Sequence, residues 1–328
     1  MKNCNEYPEI GWVREMRETA VRDGVPIQGT FELTPVCDFN CRMCYVHLTA
    51  DKVQQAGGLM SADEWIRLGR EAVDAGTLWL CITGGEPLMH PEFKRIYREL
   101  SQMGFFITIQ TNASLITDDI IELFSEFPPF LVKITVYGSN DEIYEKVCGV
   151  KDGFTRVDRG IRALKEADIQ LELVTTVIKD NLNDLPNIYR YISQFGVKWY
   201  YCTSAYPSAR GAETDAASAA IDEYDATDFR EEIRQLIANP PHRRDKKPCE
   251  MCKGYRTGFW VLWDGKMRFC SLMNEPGIDA RNQSLENAWK QLLDFEENLK
   301  WPEECASCEA RDICVDCMGM VNSYSGSI

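Results

Sequence analysis

The chain has 328 residues, 45% of them hydrophobic, which suffices for one large α/β domain and a smaller appendage. A net charge of −15 argues against nucleic acid, whose phosphates call for Lys and Arg, and no run of about 18 apolar residues offers a membrane span. Such acidity serves solubility and also suits a basic peptide or a small molecule as partner.

The opening stretch, MKNCNEYPEIGWVREMRET, is charged and lacks the apolar core of a secretory signal, so the protein reads as cytoplasmic. Residues 1–28 should form a short helix and an arm. From residue 29 apolar strands alternate with helical patterns. The strands are expected at Thr30–Thr34, Leu78–Thr83, Phe105–Gln110, Val132–Tyr137, Leu171–Ile178 and Lys198–Thr203, each a short run of Ile, Val, Leu or aromatics. Helices are expected near 61–75, 92–103, 117–125, 154–167 and 184–195, with Ser61 and Glu64 spaced as a capping box. Strands separated by helices pair in parallel through crossovers. Six such units give an α/β fold, a partial (β/α)6 TIM-like barrel over residues 29–210, with its chemistry at the C-terminal strand ends.

After Ser204 the pattern changes. SARGAETDAASAA reads as a loop or lid, and residues 211–248 as a bridging helix, at Asp222–Ala238, and a basic linker, PPHRRDKKP. Residues 249–328 are cysteine-rich, and FWVLWDGKMRFC reads as a hairpin turning at Asp264–Gly265.

Fourteen cysteines in a reducing compartment point to metal or cluster ligation rather than disulfides. Cys37, Cys41 and Cys44 fall in PVCDFNCRMCY, in the loop just past the first strand. Three thiolates on a short loop can hold three irons of a [4Fe–4S] cube and leave the fourth iron open. Zinc is the alternative, with His47 as a fourth ligand, although structural zinc favours four closed ligands in CxxC pairs. Cys249, Cys252, Cys270, Cys305, Cys308, Cys314 and Cys317 form a second group, where CxxC pairs again leave zinc open. Cys4, Cys81, Cys148 and Cys202 stand alone.

The CxxxCxxC spacing resembles the radical SAM superfamily, and the resemblance spans roughly residues 29–205. It implies a [4Fe–4S] cluster whose open iron binds S-adenosylmethionine (SAM). One electron from the cluster then cleaves SAM to methionine and a 5′-deoxyadenosyl radical, which abstracts hydrogen from a substrate. The next strand ends in Gly84, Gly85, Glu86 and Pro87, similar to the family's GGEP segment that contacts the SAM amino group. Asn112 resembles the TNG asparagine, Thr135 a ribose-binding Ser or Thr, and Tyr45 a residue whose backbone lines the adenine site. Cys148 stands where many relatives carry Arg. Cys148 and Cys202 are candidate hydrogen-atom donors, as in epimerising relatives, or else small buried hydrophobes.

The second group resembles the SPASM extension of peptide-modifying radical SAM enzymes: Cys252, Gly265 and Cys270 fall in its order, and CASCEARDIC is a close match. The resemblance implies that Cys249, Cys252, Cys270 and Cys317 hold one auxiliary [4Fe–4S] cluster, and Cys305, Cys308 and Cys314 a second with one iron open. These seven thiols are one short of full ligation for two clusters, so one or two auxiliary clusters are expected. Ser271 stands where sulfatase-maturing relatives carry an Asp base, which argues against that activity. A separate leader-binding domain of about 80–90 residues does not fit before the first strand. The resemblance implies crosslinking, oxidation or epimerisation of a ribosomally made, leader-bearing peptide, with flavodoxin or ferredoxin as electron donor. The alternatives are radical dehydrogenation of a small molecule such as a sugar derivative, and a non-catalytic iron–sulfur or zinc module.

Overall fold

A computed structural model describes residues 11–203, 205–206, 208–221 and 256–298. The expected helix at Asp222–Ala238, the basic linker, Cys4 and all members of the second cysteine group except Cys270 lie outside the described residues.

Helix α1 (Gly11–Asp23) leads into a sheet whose strands are β1 (Gln28–Glu32), β2 (Trp79–Thr83), β3 (Phe106–Thr111), β4 (Leu131–Thr135), β5 (Leu171–Thr176) and β6 (Lys198–Cys202). All six run parallel in the order β6-β5-β4-β3-β2-β1. The crossovers carry α2 (Ala50–Gln55), α3 (Ala62–Asp74), α4 (Phe93–Ser101), α5 (Asp118–Glu126), α6 (Asp141–Cys148), α7 (Gly153–Glu166) and α8 (Leu185–Ser193). This is the expected α/β partial barrel. Ser61 and Glu64 do form a capping box on α3, with the Glu64 carboxylate accepting from the Ser61 N–H at 2.7 Å.

Two helices of the barrel crossovers escaped the sequence pattern, α2 and α6. In α6 the cap signals are plain in retrospect: the Asn140 side chain accepts from Ile143 N, and Gly149 closes the helix at φ 70°. The first strand starts and ends two residues earlier than expected. Leu33 and Thr34 instead continue extended toward the cysteine loop, with Leu33 N donating to Thr83 O at 2.9 Å.

Alternation sorts the strand residues. Leu80 and Ile82 of β2, and Ile107 and Ile109 of β3, pack under the helices with Trp65, Tyr97 and Leu100, all essentially buried. The other face looks into the barrel. There Lys133 and Glu172, opposite each other across β4 and β5, form a partly buried ion pair at 3.5 Å.

Beyond residue 256 the expected hairpin appears as β7 (Gly258–Val261) and β8 (Lys266–Arg268), followed by β9 (Ile278–Asp279) and α9 (Leu285–Asn298). The turn has Gly265 at φ +85°. β7 pairs in parallel with the outer edge of β1, so one sheet of nine strands runs through both parts of the chain. Among the described residues, no helix is long and apolar enough to cross a membrane.

Candidate active site

The last residue of each of the six core strands lines one cavity of about 320 Å³: Glu32, Thr83, Thr111, Thr135, Thr176 and Cys202. β3 also contributes Gln110. A polar residue closing an apolar strand is the signal that sequence reasoning could have used to find Glu32, Gln110 and Thr176. The cysteine loop forms the cavity's other wall through Cys37, Cys41 and Cys44.

That loop is held by backbone groups that helix ends and turns leave free. Asn40 N and Arg42 N donate to the carbonyls of Cys148 and Val147, both at 2.9 Å, and so cap the C-terminus of α6. Phe39 packs edge-on against Tyr144 of that helix. Cys44 N returns to Cys41 O at 3.0 Å, and the Thr214 hydroxyl donates to Cys44 O.

Gly84 and Gly85 line the cavity, and the tightest approach to them is the protein's own backbone. A Cβ at Gly84 would sit 2.5 Å from Thr34 O, and one at Gly85 would sit 2.6 Å from both Pro35 O and Val36 O. Gly85 N and Glu86 N donate to Thr34 O and Val36 O, at 2.6 and 2.9 Å. The paired glycines thus fasten the end of β2 to the root of the cysteine loop.

Glu86 and Pro87 lie behind this contact, buried and off the cavity wall. The Glu86 carboxylate accepts from the Thr111 hydroxyl at 2.8 Å, Asn112 N at 2.8 Å and Leu88 N at 3.1 Å. Burial pushes its pKa up to about 7 despite these neutral donors, and nearby Asp38 adds to the rise. Asn112 lines the cavity, and its Nδ2 lies 3.7 Å from Cys37 Sγ. Tyr45 turns its hydroxyl to Ser271 Oγ at 2.8 Å, next to Cys270, while its carbonyl accepts from Ala209 N. Burial raises the Tyr45 phenol to about 12.

The two candidate hydrogen-atom donors separate. Cys202 lines the cavity, its thiol 3.5 Å from Thr176 Oγ1. Cys148 is fully buried against Cys41, outside the cavity lining.

Sequence reasoning missed the clamp beside the loop. Arg210 Nη1 donates to both oxygens of Glu32, at 3.0 and 2.9 Å, and Trp260 Nε1 donates to Glu32 Oε2 at 3.1 Å. Desolvation pulls the Arg210 pKa down most strongly, but the Glu32 charge, the nearby Tyr45 and the hydrogen bond to Glu32 together more than offset it, and the net direction is up.

The cysteine loop fits a cube better than a single ion. Among the described residues no three His, Cys, Asp or Glu side chains converge on one metal position, and His47 completes no such set. All three thiols line one cavity, an arrangement that suits ligands to three corners of a cube. Burial raises Cys37 and Cys44, the latter to about 11, and a hydrogen bond with Cys148 followed by burial raises Cys41. They therefore need the positive charge of bound iron to become thiolates.

The radical SAM superfamily model matches residues 31–192, from β1 through most of α8. Residues 31–192 form a radical SAM domain. Beyond it, the chain is similar to an AdoMet-dependent heme synthase of Methanosarcina barkeri, 26% identical over 90% of this chain and 92% of that protein. The subtilosin biosynthesis protein AlbA of Bacillus subtilis is 25% identical over 56% of this chain and 42% of its own. Streptococcus suis SuiB, solved with S-adenosylmethionine bound, shares the fold with a TM-score of 0.66 at 18% identity, covering 94% of this chain and 79% of that one. Radical SAM domains bind SAM on a [4Fe–4S] cluster, and the cavity here is lined by three thiols and a ring of polar strand ends.

Proposed function

We propose that this radical SAM enzyme modifies a ribosomally made peptide, with Cys37, Cys41 and Cys44 as the cluster ligands. The observation that carries the cofactor assignment is the convergence of those three thiols and six strand ends on one cavity. When bound, the cluster supplies the electron that cleaves SAM and so yields a radical able to take hydrogen from a substrate. The chain's own residues do the aiming. Thr135, Thr176 and Gln110 offer hydrogen bonds to a ribose-bearing ligand, Gly84 and Gly85 keep the loop at the end of β2, and buried walls exclude water. Cys202 is the thiol placed to return a hydrogen atom to a substrate radical. Cys249, Cys252, Cys270, Cys305, Cys308, Cys314 and Cys317 would hold one or two auxiliary clusters.

The peptide reading is supported by the likeness to AlbA, a bacteriocin biosynthesis protein, and to two PqqA peptide cyclases. A second reading, a small-molecule substrate of heme-synthase type, is favoured by the length of the match to the Methanosarcina protein. Anaerobically reconstituted, reduced enzyme should release 5′-deoxyadenosine from SAM, and Cys37→Ala, Cys41→Ala or Cys44→Ala should abolish this. Wild-type enzyme loaded with iron but unable to cleave SAM would end the enzymatic reading. Mass spectrometry of a precursor peptide encoded beside the gene, run alongside a tetrapyrrole substrate, separates the two readings. Cys202→Ala should retain SAM cleavage and lose any solvent-derived hydrogen in the product.

A further inference from the structure

The residue after the first cluster cysteine is charged, and its surroundings are built with care. Asp38 is mostly buried, with 14% of its side chain exposed. Its Oδ1 accepts from Asn112 Nδ2 at 2.9 Å and lies 3.9 Å from Cys37 Sγ. Its Oδ2 accepts from Ser114 Oγ at 2.7 Å and from Arg156 Nη2. Arg156 reaches in from the first turn of α7, its guanidinium 5.5 Å above the ring of Phe39.

The Asn112 amide is fixed on three sides. Its Oδ1 accepts from Ser114 N at 2.8 Å, which sets the orientation of the amide. One Nδ2 hydrogen goes to Asp38, and the other faces Cys37 Sγ at 3.7 Å. Phe39 N donates to the same sulfur at 3.4 Å. N–H groups on a cluster sulfur favour the reduced state, and a negative charge nearby disfavours it. An unpaired carboxylate this close to a ligand sulfur would therefore make the cluster harder to reduce.

We infer that Asp38 and Arg156 act as a pair of positioning residues for the cluster held at Cys37: Asp38 aims the Asn112 N–H at the ligand sulfur, and Arg156 cancels the carboxylate's charge so that the cluster stays reducible. This rests on the reading of Cys37 as a cluster ligand.

The test is potentiometry followed by electron paramagnetic resonance on the reconstituted full chain, with iron content measured in parallel. Arg156→Gln leaves Asp38 unpaired and should lower the ratio of reduced to oxidised cluster at a fixed poise by roughly tenfold. Arg156→Lys keeps the charge and should stay near the wild type. The double variant Asp38→Asn/Arg156→Gln removes both charges and should return toward the wild-type potential. A purely structural role for the pair would instead leave the double variant as impaired as Arg156→Gln in iron loading and potential. That result, or an unshifted potential in Arg156→Gln, overturns the inference. A wild-type chain that loads no cluster overturns the underlying reading of Cys37, a separate and recognisable failure.

Discussion

Glu32 and Glu86 stand one strand apart, at the end of β1 and just past the end of β2, and both are buried. The fold treats them in opposite ways. Glu32 faces a guanidinium and an indole N–H drawn from segments far along the chain. Glu86 is served by a hydroxyl and two backbone N–H groups, and burial lifts its pKa to about 7. The β1 side of the cysteine loop is thus a charge-paired clamp. On the β2 side sits a carboxyl whose ionisation near neutral pH depends on its surroundings. The same residue type supplies a fixed anchor in one place and a responsive one in the other, and the difference lies in the partner rather than in depth.

The largest expected effect tests the clamp. Arg210→Met leaves Glu32 buried without its cation and should cost about 3–5 kcal/mol in chemical denaturation. Glu32→Gln/Arg210→Met should recover most of that loss; equal losses in single and double variants would show that Arg210 matters for packing alone. Next, Gly85→Ala places a Cβ against two backbone oxygens that cannot yield cheaply. It should cost about 1–3 kcal/mol and reduce iron loading, read by unfolding midpoint and iron analysis.

The smallest effect concerns Glu86. Its folded pKa, about 7, lies above the ordinary carboxyl value of 4.5. Between those values the folded state holds a proton that the unfolded state has lost, so stability falls as pH rises through 7. Denaturation at pH 5.5 and 7.5 should show the wild type losing about 2 kcal/mol more than Glu86→Gln over that interval. Parallel pH profiles would place the carboxyl in a polar, ionised setting and erase the contrast with Glu32.

Local patterns explain what was legible in the sequence. The six parallel strands were found because each is a short apolar run, and the cysteine loop because its spacing is self-contained. The pairing of Glu32 with Arg210 and Trp260 was not legible, since the partners are 178 and 228 positions away and no short-range pattern links them. Gly84 and Gly85 stood out by their likeness to a GGEP segment, but the group that approaches them, the carbonyls of residues 34–36, is visible only once β1 and β2 lie side by side. The pairing of Asp38 with Arg156 was not legible either, since Arg156 sits on a helix 118 positions away.

The strand β7 carries one more consequence. Because it occupies the outer edge of β1, the sheet does not end where the cysteine-rich part of the chain begins. A shortened protein ending near residue 210 or 248 would not be a trimmed catalytic half. It would bare a full row of β1 amides and carbonyls within a few residues of Cys37, an adhesive border of the kind that recruits a second copy or seeds precipitation. Anyone dividing this chain for expression should therefore treat the β7–β8 hairpin as the catalytic half's own selvedge.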